Sequence, residues 1–80
     1  MRIFILNEEN HGTLGVFSTL ENAVEYAKAW SRETVCNVWG NPETDDEIEI
    51  STGTSDPDDW ASTGAFFTAR VQELDPTAPD

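Results

Sequence analysis

Apolar and polar residues alternate along the chain in a way that predicts a β-hairpin at its start. Residues 3–6 form a continuous run of apolar, β-forming side chains, which is typical of a strand buried on both faces inside a sheet. Residues 7–13 are polar and contain Asn and Gly, as a hairpin loop requires. Residues 14–17 then return as a second strand.

The following segment predicts one amphipathic helix over about residues 19–32. Its apolar stripe recurs at spacings of three and four residues and consists of Leu20, Ala23, Val24, Ala27 and Trp30, with Tyr26 at its edge. Acidic residues come early in the segment and basic residues late, an order that suits the helix dipole. Ser18 and Glu21 fit a capping box, so Ser18 is the expected N-cap.

Residues 46–51 predict a half-buried strand because their polarity alternates strictly. Ile48 and Ile50 share one face, and Glu47 and Glu49 share the other, as the two-residue period of a strand requires. The acidic face suits the edge of a sheet, where charge discourages unwanted pairing. We therefore expect an edge strand whose inner face packs under the helix.

Residues 65–74 predict the last strand, and three other segments have no regular alternation. Residues 34–39 are β-branched and aromatic but end at Gly-Asn-Pro, so they fit either a short strand or an ordered connection. Residues 52–64 are rich in Thr, Ser, Gly, Asp and Pro and predict a long loop with Trp60 as its apolar anchor. Residues 76–80 predict a flexible tail.

Together these elements predict a single α+β domain over residues 1–75. The order β-β-α-β-β places one amphipathic helix on one face of an antiparallel sheet of about four strands, in a two-layer architecture. The other sheet face is left uncovered, and the residues expected on it are Phe4, Leu6, Phe66 and Leu74. Homodimerisation is a natural way to bury an exposed apolar patch of this kind.

Charge is the feature of the composition that bears most on function. The 80 residues include 16 acids and 4 Lys or Arg, for a formal net charge of -12. Eight of the acids fall in one stretch: Glu43, Asp45, Asp46, Glu47, Glu49, Asp56, Asp58 and Asp59. Like charges repel one another in a compact chain. The stretch therefore indicates either a solvated face that favours solubility or a surface that meets a basic partner.

The candidate partner-binding residues combine these acids with one aromatic residue. They are Asp45, Asp46, Glu47, Glu49, Asp56, Asp58, Asp59 and Trp60, since an exposed Trp is a common interface anchor. Duplex DNA carries about one charge per 1.7 Å of its axis, and eight acids over a hairpin of roughly 20 Å give about one per 2.5 Å. The stretch can therefore imitate DNA, whereas direct binding to nucleic acid or to an anionic membrane is disfavoured by its charge.

Few residues in this sequence can carry catalysis or hold a cofactor. His11 is the only histidine, and a metal site needs three or four converging ligands, so we expect an exposed turn residue. Cys36 is the only cysteine, and acidic surroundings raise the pKa of a thiol, which favours a packing role. Starting from Asp56, an EF-hand needs Gly and Glu where the chain has Ala61 and Phe67. We expect no enzyme, no cofactor and no metal.

Several segments resemble those of a group of small phage and bacterial proteins. The run Ile-Phe-Ile-Leu at residues 3–6, Gly-Val-Phe-Ser at residues 15–18 and Ala23 resemble that group's strand, turn and helix, and residues 71–75 resemble its last strand. The resemblance covers roughly half of the chain and implies fold only, because the group has no agreed activity or catalytic residues. In size and charge, the chain is also similar to phage proteins that inhibit host defence or host nucleic-acid enzymes.

The function expected from these observations is that of a small acidic protein-interaction module. Its expected partner is a protein with a basic, nucleic-acid-binding surface, and a phage-encoded inhibitor that mimics DNA is the most specific form. The alternative is a structural or assembly protein that forms a homo-oligomer through the uncovered sheet face. No segment approaches the roughly 20 apolar residues of a membrane span, and a lone cysteine makes no internal disulfide. We expect a cytoplasmic location, in the host cytoplasm for a phage protein.

Overall fold

The computed structural model describes residues 2–53 and 65–73, and these form a five-stranded antiparallel sheet with one helix packed on it. The strands are β1 (Arg2–Glu8), β2 (Gly12–Phe17), β3 (Cys36–Trp39), β4 (Glu47–Thr52) and β5 (Phe66–Glu73), and the helix is α1 (Leu20–Ser31). The predicted α+β class with one helix on an antiparallel sheet is confirmed. The predicted strand number is wrong, because the order is β-β-α-β-β-β.

The strands lie side by side in the order β2-β1-β5-β4-β3. The hairpin of β1 and β2 forms one side of the sheet, and the hairpin of β3 and β4 forms the other. The last strand, β5, lies between them and pairs with both β1 and β4. β1 is therefore flanked on both sides, as its continuous apolar run predicted.

β3 lies in residues 34–39, the segment for which the sequence did not decide between a short strand and an ordered connection. Its four residues pair with β4 in a register that runs from Cys36 opposite Thr52 to Trp39 opposite Glu49. Because β3 occupies the edge, β4 lies inside the sheet, and its predicted edge position is wrong. Acidic residues indicated an edge, but they are tolerated on an inner strand of an antiparallel sheet when one face remains open to solvent.

The helix begins one residue later than the predicted capping box. Thr19 is the N-cap: its backbone is extended, and its Oγ1 accepts a hydrogen bond from the Asn22 backbone N–H at 3.1 Å. The prediction of Ser18 as the N-cap is therefore wrong, although the predicted span of the helix is confirmed. At the other end Arg32 adopts a left-handed conformation with φ 60, and its N–H donates to the Ala29 carbonyl at 3.2 Å.

The hydrophobic core lies between α1 and one face of the sheet. Its fully buried residues are Leu6, Ala27, Ile48, Ile50, Phe67 and Ala69. The prediction that Ile48 and Ile50 pack under the helix is confirmed. Burying a Leu, Ile or Phe side chain contributes about 1.5–3 kcal/mol, so the four large side chains of this cluster contribute strongly to stability.

Two residues predicted on the uncovered sheet face lie in this core instead. Leu6 pairs with Ala69 and Phe4 pairs with Val71, which places both under the helix, and they are 0% and 6% exposed. Because β1 is apolar on both faces, its sequence does not indicate which alternate residues point to the core. The prediction chose the wrong alternate residues for the uncovered face. Ile5 belongs to the opposite face.

Of the other residues predicted on the uncovered face or in irregular segments, the structure describes Phe66 but few of the rest. Phe66 follows the alternation of β5 and lies on the face opposite Phe67, as predicted. Leu74 and residues 76–80 lie outside the described residues, as does most of the loop predicted at residues 52–64. No helix in the described part of the chain has both the length and the hydropathy needed to cross a membrane.

Replacing Phe67 by Ala should strongly destabilise the domain. Phe67 is fully buried, and loss of a buried Phe side chain costs about 3–5 kcal/mol of unfolding free energy. A small domain has only about 5–15 kcal/mol in total, so its urea midpoint should fall sharply. The matched control is Phe66→Ala, because Phe66 is the neighbouring, half-buried residue on the opposite face. Equal losses in the two variants, measured by urea unfolding, would contradict this assignment of faces.

Candidate partner-binding site

The turn between β3 and β4 carries Glu43, Asp45 and Asp46 and is held by its own hydrogen bonds. The Asn41 N–H donates to Asp45 Oδ2 at 2.7 Å, and the Asp45 and Thr44 N–H groups donate to the Asn41 carbonyl at 2.8 and 3.0 Å. The Glu43 N–H donates to Asn41 Oδ1 at 2.9 Å. The Asp45 carboxylate therefore serves to close the turn.

Gly40 lets this turn begin close to β4. Its φ of 121 lies in the region that glycine adopts without steric cost. An added Cβ would stand 2.8 Å from Ile48 Cδ1, which is inside the core. A side chain at this position would therefore strain the backbone and force a shift at its contact with Ile48.

Arg2 ties the acidic turn to the central part of the sheet. Its Nη1 donates to the Pro42 carbonyl at 2.8 Å and lies 3.3 Å from Glu43 Oε2, and its Nε lies 3.4 Å from Glu73 Oε2. Both carboxylates are largely exposed, and an exposed ion pair contributes only about 0–1 kcal/mol. Sequence reasoning missed this site, because the hydrogen bond to Pro42 spans 40 residues and nothing local indicates it.

A cavity of about 190 Å³ opens beside Arg2. Its lining residues are Arg2, Pro42, Glu43, Thr44, Asp45, Asp46, Val71 and Glu73. Most of these groups already contact one another through the bonds just described, and the Asp46 carbonyl accepts the Val71 N–H at 2.7 Å. The polar groups of this cavity therefore hold the turn against the sheet.

Glu47 and Glu49 are exposed on the uncovered face of the sheet. The register places Arg70 opposite Glu47, and it places Thr68 and Trp39 on the two sides of Glu49. Within residues 2–53 and 65–73, neither glutamate takes part in an ion pair. These two carboxylates are consequently presented to solvent by a strand whose other face is fixed in the core.

The structure describes four of the eight predicted partner-binding residues. Asp45 and Asp46 lie in the turn before β4, and Glu47 and Glu49 lie on β4 itself. Asp56, Asp58, Asp59 and Trp60 lie outside the described residues. The four described acids form one continuous segment, but Asp45 faces its own turn while Glu47 and Glu49 face solvent.

A buried carboxylate that sequence reasoning also missed lies at the other end of β1. Glu8 is only 6% exposed, and its Oε1 accepts hydrogen bonds from the Asn10 N–H at 2.7 Å and from His11 Nδ1 at 2.8 Å. The hydrogen bond from His11 lowers the pKa of Glu8, against the opposing effect of burial. The His11 ring meets Trp30 edge-on at 5.1 Å. His11 is exposed, as expected, but it also caps this carboxylate.

The described residues form neither a metal centre nor an activated thiol. No group of three or more His, Cys, Asp and Glu side chains within residues 2–53 and 65–73 converges in a way that could hold a metal ion. Burial raises the pKa of the Cys36 thiol, and Lys28 opposes this rise only in part. A raised thiol pKa leaves little reactive thiolate near neutral pH. The exposed carboxylates of β4 are therefore the strongest candidate site.

The hydrogen bond between His11 and Glu8 should make stability depend on pH in acid. Because the pKa of Glu8 is lowered from 4.5 in the folded state, the stability it contributes is present above that pH and is lost as pH falls through the lowered pKa. His11→Ala should raise the pKa of Glu8 and reduce this loss. Carboxyl NMR titration and urea unfolding over a series of acidic pH values measure both effects. Glu9→Gln is the control, and an unchanged Glu8 titration in His11→Ala would contradict the assignment.

Comparison of the chain with protein-family models, with curated proteins and with solved structures finds no match. The function is therefore argued from the residues and the geometry of the site.

Proposed function

We propose that this chain is a small protein-interaction module that binds a basic surface of another protein through the acidic face of β4. The observation that carries the proposal is the exposure of Glu47 and Glu49, without ion pairs among the described residues, on a strand that is paired on both sides. A net charge of -12 adds a long-range attraction for a basic partner.

The geometry of β4 favours this proposal because the two carboxylates are held in place before binding. They lie two residues apart on a strand, which separates them by roughly 6.6 Å along its axis. A preformed site avoids the cost of ordering side chains and loops on association. Complementary charge would mainly increase the association rate and the selectivity for basic partners.

A more specific form of the proposal is that the partner's basic surface normally binds DNA. DNA has about one phosphate per 3.4 Å of axis on each strand, whereas alternate residues of β4 provide one carboxylate per roughly 6.6 Å. Asp46 does not extend this row, because its carbonyl accepts the Val71 N–H and the residue lines the cavity beside Arg2. A full mimic therefore requires further acids from elsewhere in the chain. Residues 56–59 supply three such acids in the sequence. In this form the protein is an inhibitor carried by a phage and acts in the host cytoplasm.

The double variant Glu47→Gln/Glu49→Gln should lose binding to a basic partner. The partner is first captured from cell lysate on the wild-type protein at low salt and identified, and its affinity for each variant is then measured. The matched control is Glu9→Gln/Glu21→Gln, which removes the same amount of charge from exposed positions in the β1–β2 turn and on the helix. The β4 variant should bind at least about tenfold more weakly, which is about 1.4 kcal/mol, and the control should bind nearly as well as the wild type.

Salt and DNA provide independent checks on the same complex. Raising ionic strength from 0.1 M to 1 M shortens the Debye length from about 10 Å to about 3 Å, so a contact made by exposed carboxylates should weaken strongly. Duplex DNA should displace the protein if the partner surface is a DNA-binding one. Binding that survives both high salt and the β4 variant would contradict the proposal. If the complex weakens in high salt and in the β4 variant but is not displaced by DNA, only the DNA-mimic form of the proposal is contradicted.

Homo-oligomerisation through the uncovered sheet face remains the second candidate. Val16 is 57% exposed and lies opposite Ile5 on that face, so an apolar pair is available near the β2 edge. The net charge opposes self-association.

Sedimentation at low and high salt tests this second candidate. Self-association through the apolar pair should strengthen as salt screens the charge repulsion, and Val16→Lys should abolish it, whereas Thr13→Lys in the same strand is the control. A monomer at high protein concentration in both salts would exclude the oligomer.

A further inference from the structure

The backbone groups at the outer edge of β3 can be identified from the hydrogen bonds on its inner side. The Gly53 N–H donates to the Val35 carbonyl at 3.0 Å, and the β3–β4 register, continued by one residue, places these two residues directly opposite each other. In an antiparallel ladder, directly opposite residues alternate between bonded and non-bonded pairs. Cys36 and Val38 therefore direct their N–H and C=O groups away from β4.

The bonds on the far side of β4 support the same alternation. The Thr52 N–H donates to the Ala65 carbonyl at 2.9 Å, and the Val71 N–H donates to the Asp46 carbonyl at 2.7 Å. Even-numbered residues of β4 thus bond to β5, which leaves its odd-numbered residues to bond to β3. The outward direction of the Val38 backbone follows from both sides of β4.

The β3 edge has few of the features that normally protect an edge strand. Natural edges are blunted by charged residues, proline, bulges or short length. The sequence Cys-Asn-Val-Trp of β3 contains no charge and no proline, and its pairing with β4 has no register shift. The side chain of Val38 is 41% exposed and that of Val35 is 42% exposed. Among these features, β3 itself has only its short length.

We propose that β3 accepts an extended, basic segment of a partner protein as a sixth strand of the sheet. This inference rests on the proposed function and specifies the form of the partner. Backbone hydrogen bonds to Cys36 and Val38 would hold the added strand, as in other cases where a peptide extends a sheet. Its side chains would alternate between the two faces.

The side chains around β3 determine which residues the partner strand carries. On the helix side the added strand lies beside Val38, which favours apolar residues. On the uncovered face it lies beside Trp39, and Glu49 follows Trp39 on the next strand. The distance from the added strand to β4 is roughly 9.6 Å, or two strand spacings. A Lys or Arg side chain crossing the Trp39 ring would gain a cation–π contact and bring its charge to Glu49.

The other edge of the sheet is less suited to a basic strand. Val16 of the edge strand β2 lies opposite Ile5 of β1, and Ile5 lies opposite Arg70 of β5. A strand added beside β2 would therefore meet an apolar pair and then a cation. The pairing of β1 with β2 also contains a register shift between Leu6 and Asn7, and bulges of this kind discourage further pairing. Charge and edge geometry therefore both favour β3.

A peptide of alternating Lys and Val tests the proposal at low salt with the full chain. Two control peptides accompany it: one with Lys and Val grouped in separate blocks, which keeps the charge and composition, and one alternating Glu and Val. The alternating Lys peptide should bind about tenfold more tightly than the block peptide, because only alternation places all charges on one face. The alternating Glu peptide should not bind.

Val38→Pro removes an outward N–H from the edge and should weaken binding of the alternating Lys peptide about tenfold. The matched control is Val16→Pro. The Glu9 N–H bonds to the directly opposite Phe66 carbonyl, so Val16, opposite Ile5, also directs its N–H outward. Val16→Pro should change the affinity less than about twofold. Circular dichroism confirms the fold of both variants.

Hydrogen exchange in the wild-type protein decides the question even if a proline variant fails to fold. Binding of the alternating Lys peptide should slow exchange of the Cys36 and Val38 amides and leave the Val16 amide unchanged. Binding of the peptide without protection of the Val38 amide would overturn the sixth strand but leave the proposed binding of a basic partner standing. In that case the peptide should no longer bind the Glu47→Gln/Glu49→Gln variant. Failure of both Lys peptides to bind at low salt would overturn both proposals.

Discussion

The insertion of β5 between two hairpins is the constraint on which the rest of the structure depends. Each hairpin is closed locally, and the two are joined through β5, through the helix and through the contacts of Arg2 with the β3–β4 turn. Phe67 and Ala69 on β5 complete the core with Leu6 on one side and Ile48 on the other. Because β1 and β5 are far apart in sequence, the chain must close a long loop before this pairing stabilises it. The local elements are therefore expected to gain most of their stability together with β5.

The periodicity of apolar residues predicted the helix and β4, whose buried faces are visible in their own sequences. The spacing of Ala23 and Ala27 on α1 and of Ile48 and Ile50 on β4 predicts their burial, whereas Trp30 of the predicted helix stripe is 37% exposed. β1 is apolar on both faces, so only its pairing partners determine that Leu6 points inward. β3 is too short for a clear period, and the acidic face of β4 indicated an edge that β3 in fact occupies. At the candidate site, the exposure of Glu47 and Glu49 followed from alternation, whereas the contacts of Arg2 with Glu43 and Glu73 depend on tertiary structure.

The acidic residues of this protein perform different physical tasks despite their common charge. Glu8 is buried and accepts hydrogen bonds, and Asp45 closes a turn. Glu43 and Glu73 hold Arg2 between the turn and β5. Among the described residues, only the glutamates of β4 are exposed on a strand inside the sheet without taking part in an ion pair. A net charge of -12 is thus less informative than the position of each carboxylate, and the geometry separates those that maintain the fold from those available to a partner.

The alternation of β4 also affects how this protein can change over evolutionary time. Its even-numbered isoleucines belong to the core, while its odd-numbered glutamates belong to the surface, and the two sets occupy opposite sides of one backbone. Substitutions at the glutamates alter no core packing, so their effects on stability should be small. Selection can therefore change the exposed face of β4 without compensating changes elsewhere. The surface of this strand can diverge in sequence while the fold is retained.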